Sequence, residues 1–204
     1  MTIGCGDLSA IHLLSEVMNS FSRRYPLVSF DLCTGEGEWI KDRMEHGLID
    51  IGILLEPIDL NKYDYIRLHH HERWVVMMHP QSPLANQAYI NAKDLEDKPL
   101  ILPRRASIQD ELKRWFGHGF EHSNVVVTSN LTSTSAILVQ HQLGYAIVIE
   151  GSVASWDDQK VVCRPLYPNL IATSVIAWKR DHPFAQATNQ VIEWCKSQLI
   201  DGQL

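Results

Sequence analysis

The 204-residue sequence predicts an α/β fold of two lobes with a cleft between them, on three observations. Strand and helix patterns alternate as β-α-β-α-β, an order that favours a parallel sheet covered by helices. The same order recurs in the second half of the chain. No Gly/Ser-rich linker separates the halves, so strands crossing between two lobes are the expected connection.

Thr2 to Cys5 reads as a short strand. Ile11, Leu14, Met18 and Phe21 then recur at spacings of three and four, the stripe of an amphipathic helix. Tyr25-Pro26 ends that helix, because the residue before proline is pushed out of the helical region, and Leu27 to Cys33 restarts as a strand. The turn Thr34 to Gly37 feeds a helix from about Glu38 to His46 that Gly47 closes. Ile49 to Leu55 is the next strand, and Tyr65 to Leu68 and Trp74 to His79 are two more, the last ended by Pro80 and Ser82-Pro83. The second unit reads as strand Leu100 to Leu102, helix Ile108 to Phe116, strand Val125 to Thr128, helix Thr132 to Gln142 closed by Gly144, and strand Tyr145 to Ile149. Val161 to Arg164 and Ile171 to Trp178 add strands. Phe184, Thr188, Val191, Ile192, Cys195 and Leu199 mark a final helix with one apolar face, expected against the first lobe.

Apolar residues make up 45% of the chain, enough for a proper core. The longest apolar runs, such as Ala146 to Ile149, fall far short of the roughly 20 residues of a membrane-spanning helix. The N-terminus lacks the basic and apolar regions of a secretory signal, which places the protein in the cytoplasm. Cys5, Cys33, Cys163 and Cys195 are widely spaced with no C-x-x-C pair, so buried free thiols are expected. With 18 basic and 24 acidic residues the net charge is -6, which a phosphate backbone would repel. This piece should not grip DNA itself.

Several phrases, in order and spacing, resemble the effector-binding domain of LysR-type transcriptional regulators over nearly the whole chain. They are the opening Ile3-Gly4 strand, Phe21-x-x-Arg24-Tyr25-Pro26-x-Val28, Gly47-Leu48-Ile49-Asp50-Ile51-Gly52-Ile53, and Glu72 to Met77 before Ser82-Pro83-Leu84. Asp94-Leu95 with Pro99-Leu100-Ile101, and Val139 followed by Gly144 to Ile147, complete the series. The resemblance implies two Rossmann-like lobes of the periplasmic-binding-protein-like type 2 fold, with lobe I at about 1–74 and 175–204 and lobe II at about 75–174. It implies that the winged helix-turn-helix and linker helix of such regulators are absent from this chain, that Met1 marks an introduced start, and that DNA is reached only through the missing part. The implied partners are a small polar or anionic effector and further copies of the chain, as a dimer or tetramer. In that dimer the helix Ser9 to Phe21 of one copy meets Thr132 to Gln142 of the other.

The family resemblance further implies that loops at helix N-termini hold the effector, and four loops take those places. In the first, Asp7, Leu8 and Ser9, Ser9 or Asp7 either caps the first helix or leaves backbone N–H groups to a ligand. In the second, Gly35, Glu36 and Gly37, the glycine at 37 stands where the family often has a hydroxyl, removing one expected contact. Glu36 or Glu38, if turned to the cleft, would favour an ammonium or guanidinium group, solvated acids at a helix start being the plainer reading. The third offers Arg104, Arg105 and Ser107: a guanidinium fork suits a carboxylate or phosphate, while Ser107 can instead cap the helix starting at Ile108. The fourth, Thr128 to Thr134, contains Asn130, Thr132 and Ser133. One or two such residues suffice as caps, and the surplus points to a ligand.

His69-His70-His71-Glu72 invites a metal reading, with His69 and His71 on one strand face, but no further set at zinc spacing supports it and no metal is expected. Trp39, Trp74, Trp115, Trp178 and Trp194 are assigned to the core. No nucleophile elbow, H-E-x-x-H, Walker A loop or G-x-G-x-x-G occurs, so neither an enzyme nor a cofactor is expected. Two rivals stand beside the sensor reading. A short ATP phosphoribosyltransferase is similar in length, but Thr132-Ser133-Thr134 lacks the acids and glycine of its phosphate loop. A free-standing solute-binding protein would carry a signal segment. The expected mechanism is a shift of lobe arrangement by an effector's differential affinity, which changes the spacing of the DNA-binding domains.

Overall fold

The computed structural model describes residues 1–153, 156, 157 and 159–200, and for His70 and Ile200 the backbone alone. The expected end of lobe I at 201–204 and the middle side chain of the histidine run therefore lie outside the described residues. The elements are, in chain order, β1 (Thr2–Cys5), α1 (Ala10–Arg24), β2 (Asp31–Thr34), α2 (Gly37–Glu45), β3 (Ile51–Leu55), β4 (Tyr63–Met78) and β5 (Pro99–Pro103). Then follow α3 (Ala106–Phe116), β6 (Asn124–Ser129), α4 (Thr132–Gln140), β7 (Tyr145–Ile149), β8 (Val162–Pro165), β9 (Ile171–Lys179) and α5 (Gln186–Ile200). They form two units, one of Met1–His71 with the chain from Thr173 onward, the other of Glu72–Ala172.

In the first unit β1, β2 and β3 run parallel in the order β2-β1-β3, and β9 lies antiparallel beside β3. All five residues of β3 are buried, as expected of a continuous apolar run in mid-sheet. Helix α1 buries Ala10, Leu14, Val17 and Phe21. Its inward stripe is thus rotated from the predicted one, leaving Ile11 and Met18 half-buried. The helix stops as predicted: Tyr25 takes a non-helical conformation, and its N–H still closes the last turn on the Phe21 carbonyl at 2.9 Å. The following strand is shorter than expected, because Val28 N–H bonds the Tyr25 carbonyl in a turn and Leu27 is almost wholly exposed. Gly47, with φ of 69°, closes α2 in the left-handed conformation that favours glycine. Helix α5 packs on α1, where the Trp194 indole N–H donates to Ser20 Oγ at 3.0 Å and its ring meets Phe21 edge-on.

The largest departure from expectation is β4, one strand of 16 residues where the sequence suggested two. Its polar middle looked like a break, but the period of two continues through it. Arg67, His69, His71 and Arg73 are exposed while Leu68, Glu72 and Trp74 are buried. Alternation decides the backbone there, and polarity only decides which face meets water. Near the start of β4, buried Tyr63 donates to Glu45 Oε1 at 2.7 Å, and Lys179 pairs with the same carboxylate at 3.3 Å. Burial and the Glu45 carboxylate push the Tyr63 phenol well above its usual range, and the Tyr63 hydrogen bond, despite a smaller opposing desolvation, draws Glu45 below its own.

The second unit repeats the plan: β5, β6 and β7 run parallel in the order β6-β5-β7, and β4, flanked by β8, joins antiparallel to β7. Val75, Met77, Ile101, Ala136, Val139, Ala146 and Val148 form its core, to which each valine, methionine and isoleucine contributes about 1.5–3 kcal/mol on burial. The residue that turns the chain after α4 is Gln142, with φ of 57°, rather than Gly144. Gly144 is needed for a different reason: a Cβ there would lie 2.4 Å from the Pro99 carbonyl oxygen. All four cysteines are free thiols, but only Cys5 and Cys195 are buried, Cys33 and Cys163 being half-buried. Burial pushes the Cys195 thiol up to about 12. Among the described residues no helix is long and apolar enough to cross a membrane.

Candidate functional site

Each unit brings two of the four predicted loops together at the carboxyl edge of its parallel strands, where open α/β sheets bind ligands. In the first unit Gly35 N–H donates to the Cys5 carbonyl, and Gly6 N–H to the Ile53 carbonyl, both at 3.2 Å. In the second, Arg104 N–H donates to the Ser129 carbonyl at 2.9 Å. Each loop runs straight into a helix, so the N-termini of α1 and α2 line one edge and those of α3 and α4 the other.

These four helices share a property: none has a side-chain hydrogen bond capping its N-terminus, the cap positions being Ser9, Glu36, Arg105 and Leu131. Of the 3₁₀ turns away from these edges, Pro83–Asn86 is capped by Ser82 on Leu84 N–H and Ala92–Leu95 by the reciprocal pair Asn91 and Asp94, whereas Gly117–His122 also has no side-chain cap. First-turn N–H groups that keep no partner favour an anionic ligand, although Ile11 and His12 of α1 and Ile108 of α3 already donate to the carbonyls of Leu8, Ser9 and Arg105.

In the first loop Leu8 is buried, so only its main chain is available to a ligand. Asp7 keeps solvent contact, yet partial desolvation raises its carboxyl above the ordinary value of 3.8. In the second loop Glu36 occupies the cap position in extended conformation, and Glu38 is drawn to Lys41 at 3.4 Å along the helix surface. Gly35 is held to its identity by Trp39, since a Cβ would meet the indole at 2.5 Å. Trp39 is therefore no core residue, being 37% exposed, with the Arg43 guanidinium stacked 4.2 Å from its ring centroid. Trp115 also leaves the predicted core: it is half-buried and its indole N–H donates to the Pro168 carbonyl at 2.7 Å.

In the third loop α3 begins at Ala106, with Arg105 as cap residue, so Ser107 lies in the first turn and is not the predicted cap. Arg104 is exposed and makes no side-chain ion pair among the described residues. Arg105 is half-buried and its charge acts on Glu111. Burial nevertheless outweighs the attraction of Arg114 and Arg105 and raises the Glu111 carboxyl above its usual value. The sequence reading missed Gln109, whose amide donates to the Pro103 carbonyl at 2.9 Å and ties the helix back to the loop. It also missed the Trp39–Arg43 stack, although the i, i+4 spacing on α2 was a usable signal.

In the fourth loop Ser129 closes a local turn, donating to the Leu131 carbonyl at 3.0 Å and accepting from Leu131 N–H at 3.4 Å. Ser135 donates to the same carbonyl at 3.3 Å. The side chains of Asn130, Thr132, Ser133 and Thr134 have no hydrogen-bond partner among the described residues, and Asn130, Ser133 and Thr134 are exposed.

The sequence model of the LysR substrate binding domain matches residues 1–200. The chain belongs to that family. Among its curated relatives, this LysR domain is 25% identical over 184 residues to the Hca operon transcriptional activator HcaR of Escherichia coli, covering 88% of the chain and 62% of HcaR. The chain spans no more than 66% of the curated relatives it matches. Among solved structures, it superposes on the effector binding domain of QuiR in complex with shikimate with a TM-score of 0.83, at 15% identity, covering 100% of this chain and 96% of that one. The regulatory domain of CcmR from Synechocystis in complex with 2-PG gives 0.78, at 15% identity and with 99% and 98% covered. These likenesses show that the LysR domain has the periplasmic-binding-protein-like fold of its relatives.

Proposed function

We propose that this domain is the sensing part of a LysR-type transcription factor and that its loop edges take a small polar or anionic metabolite. The observation that carries this reading is the β6–α4 loop. Four polar side chains gather there without partners among the described residues, at the start of a helix that has no side-chain cap. Arg104 supplies a nearby cation for a carboxylate or phosphate. QuiR was solved with shikimate, a hydroxylated carboxylate, and hydroxyls with an anionic group are what this loop and Arg104 suit. Effector binding biases one arrangement of the domain over another, and no chemistry on the ligand is required. DNA contact belongs to a helix-turn-helix outside this chain, and two copies pair through α1 and α4. The protein works in the cytoplasm.

A thermal-shift screen of anionic and hydroxylated metabolites tests the reading. A ligand at a hundred times its Kd should stabilise the domain by about 2.7 kcal/mol. Thr132→Ala with Ser133→Ala should remove most of that gain while leaving the free domain folded. A hit whose affinity ignores this pair, or one that is chemically turned over, defeats the reading.

A further inference from the structure

We propose that Trp74 reads the effector: its indole N–H donates to an acceptor oxygen, of a keto or hydroxyl group, that the metabolite carries beside its anionic group. This rests on the proposed effector function and adds a chemical class to it. Trp74 is 3% exposed, and its buried indole N–H has no hydrogen-bond partner among the described residues. The rest of the residue is satisfied: its main-chain N–H donates to the Leu170 carbonyl at 3.0 Å, and its carbonyl accepts from Leu166 N–H at 3.3 Å. By contrast the Trp115 indole donates to the Pro168 carbonyl and that of Trp194 to Ser20. Among the described residues, Trp74 alone buries an indole N–H unpaired. That group is a donor only, and burying a donor without a partner costs stability. Phenylalanine would fill an apolar layer without that cost, so the donor is explained by a state in which something accepts from it.

The place of Trp74 in the second unit matches that role. It pairs in register with Ile149, the last residue of β7, and so stands at the carboxyl edge of the parallel strands. Its neighbour Val75 packs with Ala136 and Val139 of α4, so alternation turns Trp74 to the other face of the sheet. That face is the one α3 covers. In the order β6-β5-β7 the crossovers from β5 to β6 and from β6 to β7 run in opposite directions, and right-handed connections then put α3 and α4 on opposite sides. Trp74 therefore shares an edge and a face with the start of α3, into which Arg104 leads, and all of these residues belong to the second unit. Arg104 also offers donors only. A carboxylate at Arg104 with a keto or hydroxyl oxygen at Trp74 satisfies both, whereas an ammonium at Trp74 would face a second donor. A donor this deeply buried is met only as the chain around it shifts, so the bond forms in one arrangement of the domain and adds to the differential affinity that biases it.

The test follows the indole N–H signals of the ¹⁵N-labelled domain by nuclear magnetic resonance, the Trp74 signal being identified by its loss in Trp74→Phe. The probes are shikimate, 2-oxoglutarate and glutamate, the last with an ammonium where 2-oxoglutarate has its keto oxygen. Shikimate or 2-oxoglutarate should move the Trp74 signal saturably, and glutamate should not. Trp74→Phe should weaken the probe that binds by about tenfold, the size of one lost hydrogen bond, while the free variant keeps or raises its Tm. Thr132→Ala with Ser133→Ala separates this proposal from the effector reading it rests on. If that pair weakens binding and Trp74→Phe does not, this proposal alone is overturned; the reverse upholds Trp74 and removes the β6–α4 loop from the site. No saturable shift with either acceptor-bearing acid, an equal shift with glutamate, or a lower Tm with unchanged affinity also overturns it. Should Trp74→Phe fail to fold, the titration of the unaltered domain, assigned through its backbone resonances, decides alone.

Discussion

The two loop edges of this protein occupy the same place in two copies of one plan, yet they carry opposite chemistry. In the first unit the loops after β1 and β2 present Asp7, Glu36 and two glycines. In the second, the loops after β5 and β6 present Arg104, Arg105 and a row of hydroxyls. The frame is therefore alike at the two edges, since both offer helix N-termini without side-chain caps. Side chains set the difference between them, directing an anionic group to the second unit and hydrogen-bond donors to the first.

The comparison is most exposed to a change at Arg104. Arg104→Ala should weaken an anionic effector by about 1.5–3 kcal/mol, read by calorimetric titration, whereas Glu36→Gln should cost such a ligand little. Equal losses would erase the distinction between the edges. Next in size is Leu131→Asp, which gives α4 the cap it lacks at a position already 37% exposed. The free domain should gain about 1 kcal/mol of stability, seen as a higher Tm, while affinity for an anion falls because the new carboxylate takes the same N–H groups. A rise in both would show that α4 has no part in binding.

The smallest effect belongs to Asp7. Its folded-state pKa is raised by desolvation, so the folded protein holds the proton more tightly than the unfolded chain. The resulting stability is present below the unfolded value near 3.8 and is lost as pH rises through the folded pKa. Asp7→Asn should accordingly flatten that acid-side loss and stabilise the protein at neutral pH, by under about 1 kcal/mol because the group retains solvent screening. Destabilisation at neutral pH would mean that the carboxylate is held by favourable contacts.

Much of the fold was legible in the sequence because it rests on local signals. Thr2–Cys5 and Tyr145–Ile149 are the strands that alternating and continuous apolar runs describe, and Tyr25 and Gly47 end their helices for reasons of backbone sterics. What escaped was non-local. The continuity of β4 through His69 and His71 depends on neighbours in the sheet, and the need for glycine at 144 comes from the Pro99 carbonyl in a strand far earlier in the chain. The site was legible to the level of loops, since helix starts are written in hydroxyls and glycines. Individual roles were not. Whether Ser107 caps a helix, or Trp39 covers Gly35 rather than filling a core, depends on a one- or two-residue shift in where α3 begins and on the direction of one side chain.

The absence of side-chain caps at α1 to α4 bears on how such a receptor evolves. A main-chain N–H is present whatever residue occupies its position, proline excepted, so the capacity to attract negative charge is hard to lose by point mutation. The residues around it are free to drift. Affinity of a general kind is thereby inherited with the backbone, and preference for one metabolite over another is rewritten at a few side chains, which accords with a shared fold at 15% identity.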